Sequence, residues 1–275
     1  MDGSPPLRDL APSRPAPRAV WRISGSLIAG ERILPEETPV SFAYQGAAYA
    51  VMMATPADLD DFALGFSLTE GIVTRVEEVE AVEILAQLAG VVLRIALVSA
   101  REDVLWERRR YLAGPSGCGL CGIESLAQAL RATPRVASAL TLSCEAVGEA
   151  MASLSRLQIL NRETRAVHAA GFWHARRGLL ALREDVGRHN ALDKLAGALA
   201  RRGVSAADGA ILLTSRISVE MVQKAAMIGA PVVIAVSAPT TLAVRVAEEA
   251  GITLAAIARA DGFEIFTHAH RFSNL

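Results

Sequence analysis

Only three cysteines occur in 275 residues. A small, odd number excludes the disulfide framework that holds small secreted domains together. No charged start followed by an apolar stretch opens the chain, so no secretory signal is expected. Aromatic residues make up 5%, too few for an aromatic-lined binding surface. Charge of either sign is nearly balanced at a net −1. The whole molecule therefore has no field to draw it to nucleic acid or an anionic membrane, and the run Arg108-Arg109-Arg110 reads as a solvated helix end. Also missing are a Walker-type loop and a G-x-G-x-x-G loop, which excludes an ordinary ATPase or dinucleotide-dependent dehydrogenase. One uncharged stretch, Ala225 to Val244, is twenty residues long and could span a bilayer. Gly229, Pro231 and Pro239 interrupt it, and it divides into a helix end, the strand PVVIAVS and a helix start.

What is present is a large apolar fraction, 52%, dominated by Ala, Val, Leu and Ile. That composition suits a sheet covered by helices, in one large domain or two modest ones. Residues 1–19 hold five prolines and are expected to form a disordered tail. Residues 20–113 read as a smaller N-terminal α+β subdomain. Its elements are a strand WRISGSLIAG, a hairpin of TPVSFAYQ and AAYAVMMAT turning at Gln45-Gly46, a helix capped by Asp58, and a strand pair EVEAVEIL and GVVLRIALV. A short helix EDVLWERRRY follows, and GPSG at 114–117 breaks the chain.

Residues 114–275 read as an α/β domain. The helix CEAVGEAMASLSRLQIL is capped by Ser143, and AVHAAGFWH and GLLALRE form strands joined at ARRG. From about Asn190 a helix begins, and strand then alternates with helix through GAILLTS, PVVIAVS and TLAAIA to a last strand, FEIFTH. Such alternation predicts right-handed crossovers and a mostly parallel sheet flanked by helices. Sites in such sheets lie at the carboxyl ends of strands. Here those ends are Thr214-Ser215-Arg216, Ser237-Ala238-Pro239 and the 257–262 turn.

Three clusters carry chemistry. The first is G-C-G-L-C-G, with Cys118 and Cys121 ahead of a helix whose apolar face holds Ile123, Leu126, Ala127 and Leu130. A helix N-terminus favours thiolate over thiol, lowering a free-cysteine pKa of ~8.5. Four readings of this pair stand side by side: a zinc site, a thioredoxin-like redox pair, a structural pair, and covalent sulfur or acyl chemistry at one thiolate. Zinc usually takes four ligands in two pairs, and only one C-x-x-C is present. A thioredoxin-like pair follows an early strand, whereas about 110 residues precede this one. A zinc deaminase needs H-x-E and then P-C-x-x-C, but no histidine precedes His168 and Gly117 replaces the proline. Cys144 reads as buried or helix-capping.

The second cluster is R-E-D-V-G-R-H-N-A-L-D-K, residues 183–194. Asn190 and Asp193 resemble a capping box. Asp185, Arg188 and His189 remain at a strand end, either as a turn-stabilising ion pair or with His189 moving protons near neutral pH. The third is the pair of strand-to-helix turns T-S-R-I-S-V-E-M and S-A-P-T-T-L-A-V. Each puts hydroxyls and N–H groups at a helix start. Capping explains either turn alone; the two on adjacent strands strengthen the case for a phosphate-bearing ligand.

Taken together, the segments GCGLCGIESL, TRAVHAAGF, REDVGRHNALDK, SVEMVQKAAMIGAPVVIAVSAPTTLAV and GITLAAIARADGFEIFTHAHRF resemble the formate dehydrogenase accessory sulfurtransferase (FdhD) family. The resemblance runs from residue 21 onward. It implies a cytidine-deaminase-like α/β fold, a cytoplasmic homodimer, and a sulfurtransferase working through a cysteine persulfide. Sulfur would come from a cysteine desulfurase and pass to the molybdenum cofactor, bis-molybdopterin guanine dinucleotide, of formate dehydrogenase. Carried over by motif, Cys118 would bear the persulfide with Cys121 as its accessory, and Ile257, Ala258, Arg259, Ala260, Asp261 and Gly262 would bind the cofactor. The family often opens that last segment with Phe; Ile257 has no ring to stack on a base. No metal of its own, no nucleic acid and no membrane partner are implied. A chaperone that carries the molybdopterin nucleotide without sulfur transfer is the rival reading, and a zinc-stabilised scaffold is a third.

Overall fold

The computed structural model describes residues 10–98 and 133–273. The first described element is a strand, β1 (Ser13–Trp21), paired antiparallel along its whole length with β2 (Leu27–Pro35). Part of the expected disordered tail is thus a ribbon, and WRISGSLIAG is the end of β1, a turn and the start of β2. Proline content misled here because position matters more than number. The N–H of Arg22 donates to Ser26 O at 2.9 Å, so even-numbered residues of this strand face their partner. Pro15 and Pro17 are odd-numbered, and their missing N–H groups fall on the open side of the ribbon.

A small lobe follows. The hairpin of β3 (Thr38–Tyr44) and β4 (Ala47–Ala54) turns at Gln45 and Gly46, both with positive φ (49° and 78°). Two positive φ values in a two-residue loop match the right-handed twist of the strands. After α1 (Leu59–Thr69), β5 (Val79–Gln87) and β6 (Gly90–Leu97) complete a sheet ordered β4-β3-β6-β5. Val40, Phe42, Leu93 and Ile95 are buried with Phe62 and Phe66 of α1, and the Phe42 and Phe66 rings stack at 4.1 Å. Asp58 heads α1 but does not cap it. Its backbone is left-handed (φ 53°) and its carboxylate lies 3.4 Å from Arg183.

The large lobe contains β7 (Leu142–Ser143), α2 (Cys144–Leu157), α3 (Ile159–Thr164), β8 (His168–His174), β9 (Gly178–Asp185), α4 (Arg188–Arg201), β10 (Ala210–Leu213), α5 (Val219–Met227), β11 (Val232–Ala235), α6 (Thr241–Ala250), β12 (Thr253–Arg259), β13 (Gly262–Ile265) and β14 (Phe272–Ser273). Ser143 does cap α2, its hydroxyl accepting from Ala146 N at 3.3 Å. Six strands form one sheet ordered β13-β12-β11-β10-β8-β9. The α/β class expected from the sequence holds, with one refinement to strand direction. The centre, β10-β11-β12, is parallel, while β8, β9 and β13 join it antiparallel. Alternation gives each strand two apolar faces. Ile211, Leu213, Val233 and Leu254 pack under α4, α5 and α6; Ala210, Leu212, Val232 and Ile234 pack against Val147, Ala150 and Leu154 of α2. The uncharged 225–244 stretch resolves into the end of α5, β11 and the start of α6. Among the described residues no helix is long and apolar enough to cross a membrane.

The lobes join where α1 crosses α4. A Cβ on Gly65 would lie 1.6 Å from Asp193 O, and one on Gly197 would lie 1.9 Å from Asp61 O. Only glycine permits backbones this close. Polar pins surround the crossing. Asp61 accepts from Arg183 and Arg201, Lys224 reaches both Glu70 and Asp193, and Lys194 reaches both Asp185 (2.6 Å) and Thr55 O (2.8 Å). Asn190 and Asp193 therefore form no capping box. Gly187 occupies the N-cap position, Asn190 donates to Met53 O and Asp185, and Asp193 holds Thr69 and Lys224. The proposed boundary at 113/114 lies outside the described residues.

Candidate functional site

The strand directions collect one edge of the large sheet into a single ledge. It carries the start of β8, the ends of β9 and β10, and the ends of β11 and β12. The turns along it are stitched together. Thr214 Oγ1 accepts from Ala169 N at 2.8 Å, Ile217 N donates to Ala238 O, and Thr240 N donates to Ile217 O at 3.0 Å. Thr240 also caps α6, its hydroxyl accepting from Ala243 N. Ser218 sits at the head of α5 without a side-chain capping bond, and Arg216 is exposed between the two turns.

The 257–262 segment is at the far end of this ledge. Ile257 has φ 52°, a left-handed conformation that a β-branched residue rarely adopts. It falls at a bulge between Ala256 and Arg259 and donates to Ser237 O at 3.4 Å. The kink buries Ala258 and leaves Arg259, Ala260, Asp261 and Gly262 exposed as the turn into β13. Bulges and strained residues of this kind gather at functional sites.

At the other end, the 183–194 cluster separates into two jobs. Asp185 is 0% exposed and fully engaged, accepting from Lys194, Asn190, Gly187 N and Thr55 N. It is an anchor, its oxygens taken up by four donors. Arg188 and His189 lie on the other side of the turn. His189 is 8% exposed, and its Nε2 is 3.7 Å from Glu220 Oε2. Burial pushes the Glu220 carboxyl up, but donors from His189, Ser218 and its own backbone bring it down to about 2. Burial lowers the pKa of His168, as do the positive charges of Arg188 and His189 beside it. The sequence alone assigns Glu220 no role, because an acidic residue in a first helical turn is ordinary. Nothing local shows that it meets a histidine thirty-one positions earlier.

Cys118 and Cys121 lie outside the described residues. Cys144 is half-buried in the first turn of α2, its thiol directed to Ser273 O at 3.4 Å, and the capping role belongs to Ser143. No group of three or more potential metal ligands occurs among the described residues.

Residues 35–273 match the model of the FdhD/NarQ family. The chain belongs to this family. A protein named sulfur carrier protein FdhD from Agrobacterium fabrum is 55% identical over 248 residues, covering 90% of this chain and 92% of the relative. One of the same name from Brucella abortus is 52% identical over 260 residues, covering 94% and 96%. A solved chain described as a formate dehydrogenase accessory protein from Desulfotalea psychrophila superposes with a TM-score of 0.74 at 25% identity, covering 96% of this chain and all of that one. The FdhD/NarQ match takes in both lobes, the ledge and the C-x-x-C motif, and leaves out most of the N-terminal ribbon.

Proposed function

We propose that this chain is a sulfurtransferase that takes persulfide sulfur from a cysteine desulfurase on Cys118. It then hands that sulfur to the bis-molybdopterin guanine dinucleotide of a formate dehydrogenase. The observation that carries this reading is the identity of 52–55% with proteins named sulfur carriers, over nine-tenths of the chain. The nucleotide is cargo, and the ledge offers features suited to it. Arg216 supplies a planar donor fork for phosphate, and the small residues Ala260 and Gly262 leave backbone open at the exposed turn.

The chemistry asks for an uncrowded thiolate, and glycines on both sides of Cys118 meet that requirement in the sequence. Cys121 acts as the accessory thiol that steadies the thiolate or resolves the persulfide. The protein works as a cytoplasmic homodimer, without nucleic-acid or membrane partners. In support of a dimer, one face of the β1–β2 ribbon presents Pro15, Ala19, Trp21, Leu27, Ala29 and Ile33, with Trp21 67% exposed. Exposed apolar surface of this kind, interrupted on that face by Glu31 opposite Pro17, supports association.

The test is the intact mass of the full chain after incubation with a cysteine desulfurase and cysteine. Wild type gains one sulfur atom and Cys118→Ala does not. Equal gain by both, or none by wild type, overturns the assignment. A carrier also loses dehydrogenase activation in Cys118→Ala while still binding cofactor, whereas a pure chaperone keeps both.

A further inference from the structure

We infer that the β1–β2 ribbon is an exchange arm: in the homodimer, the ribbon of each copy lies across the outer face of the small-lobe sheet of the other. The inference rests on the homodimer within the reading above and adds which surfaces make it. The stretch that matches the FdhD/NarQ family begins at residue 35, so the arm lies outside the part this chain shares with that model.

A two-stranded ribbon is marginal in water unless something covers one of its faces. Here every residue of β2 except Pro35 is exposed, and Trp21 and Leu27 at the far end are 67% and 69% exposed. The ribbon's own molecule holds it at the base, through Glu36 N to Pro12 O and Arg14 to Glu36, and by a bond from Arg32 to Thr164 O of α3. The register sets Arg32 on one face and Trp21, Leu27 and Ile33 on the other, which is left bare. The small sheet has a bare face too. Ala50 and Met52 pack inward with Phe42, so Val51 and Met53 point outward and are 56% and 40% exposed. Ser41, Val92 and Leu85 stand in register with Val51, giving a row without charge across all four strands. Arg94 and Glu83, paired with each other at 2.8 Å, are the only charged side chains among the outward positions of that sheet.

Area selects a second copy of this chain as the occupant. Two nine-residue strands, rising about 3.3 Å per residue and lying about 4.8 Å apart, give a ribbon face of roughly 300 Å². Laid on a sheet, that face buries roughly 600 Å² counting both sides, the size of incidental contacts, whereas a stable interface takes about 1,200 Å² or more. One ribbon on a foreign sheet, or two ribbons stacked on each other, stops at the lower figure. A reciprocal exchange doubles it to about 1,200 Å². Such an exchange is self-complementary, the same two faces serving on both copies. The ribbon is rooted at Pro35, three residues before β3, so arm and receiving sheet belong to one lobe and a two-fold axis beside that lobe relates both contacts. The faces also match in chemistry. Each is mostly apolar, and Glu31, the only charge on the ribbon face, finds its opposite in Arg94, the only cation on the sheet face.

The test is sedimentation velocity of the full chain over a concentration series, for wild type, an arm variant Trp21→Asp/Leu27→Asp and a sheet variant Val51→Lys/Met53→Lys. All four side chains are exposed, so the new charges leave folding intact, which circular dichroism checks. Each variant alone is expected to raise the dimer dissociation constant about tenfold or more. An equimolar mixture of the two is expected to dimerise again, because each arm then meets a sheet it fits: acidic arm on basic sheet, apolar arm on apolar sheet. Either variant dimerising like wild type overturns the inference and leaves the homodimer resting on another face. A mixture that stays monomeric overturns it as well. Wild type that is monomeric at every concentration removes the homodimer and this inference together, while sulfur uptake on Cys118, read separately by mass, still decides the carrier reading.

Discussion

Replacing Lys194 by methionine removes the buried ion pair beside the lobe junction, together with its bond to Thr55 O. Lys194 and Asp185 are both 0% exposed, and their charged atoms meet at 2.6 Å. Methionine keeps most of the stem but removes the charge, its donors and the ammonium that lies 5.3 Å from the Phe62 ring centroid. Asp185 then stays buried with only neutral donors from Thr55 N, Gly187 N and Asn190, and Thr55 O loses the Lys194 donor. Removing one partner of a buried pair costs about 3–5 kcal/mol, and the three remaining donors to Asp185 put this case near the lower end, about 3 kcal/mol. With a urea slope of about 3 kcal/mol/M, the unfolding midpoint should fall by roughly 1 M. Far-UV circular dichroism in urea at neutral pH gives the number. The double variant Asp185→Asn/Lys194→Met removes the stranded charge and should be more stable than the sum of the single changes, by about 1 kcal/mol or more. A midpoint shift below about 0.3 M, or strict additivity, would refute the claim that this buried pair stabilises the fold.

Two further outcomes follow from the same interior. Gly197→Ala sets a Cβ 1.9 Å from Asp61 O, where ordinary contact begins at 3.4 Å. The helices must part by about 1.5 Å, costing about 3 kcal/mol or more, and differential scanning calorimetry should show a lowered melting temperature; an unchanged one would contradict the crossing geometry. Glu220 has its carboxyl depressed from 4.5 to about 2, so its contribution to stability is full above the unfolded value and fades as pH falls from about 4.5 toward about 2. Thermal melts across that window should show an acid-induced loss in wild type that is smaller in Glu220→Gln, and parallel curves would show that Glu220 is not held.

Local pattern carries information about which residues form strands but little about which way neighbouring strands run. TLAAIA and PVVIAVS were legible as buried strands because both faces are apolar, yet that pattern is the same for parallel and antiparallel pairing. The antiparallel seating of β8 beside β10 comes from the short ARRG turn and the return of the chain through α4, which periodicity does not encode. The ledge was legible as strand ends, since crossover topology puts them on one edge. Its charged partners were not. Asn190 and Asp193 suggest helix capping when read alone, but they and Lys194 have partners, Met53, Thr69 and Thr55, more than a hundred residues away in the chain. Burial of a lysine is a tertiary fact.

The spacing of Pro15 and Pro17 limits how the ribbon can be held. Along that rim, two successive positions offer no donor, so a third strand laid beside β1 would find its ladder broken where it should lock. A partner can grip the flat side, through Trp21 and Leu27, but cannot lengthen the ribbon sideways into an open-ended stack. Association through this arm therefore ends with the partner that covers its face.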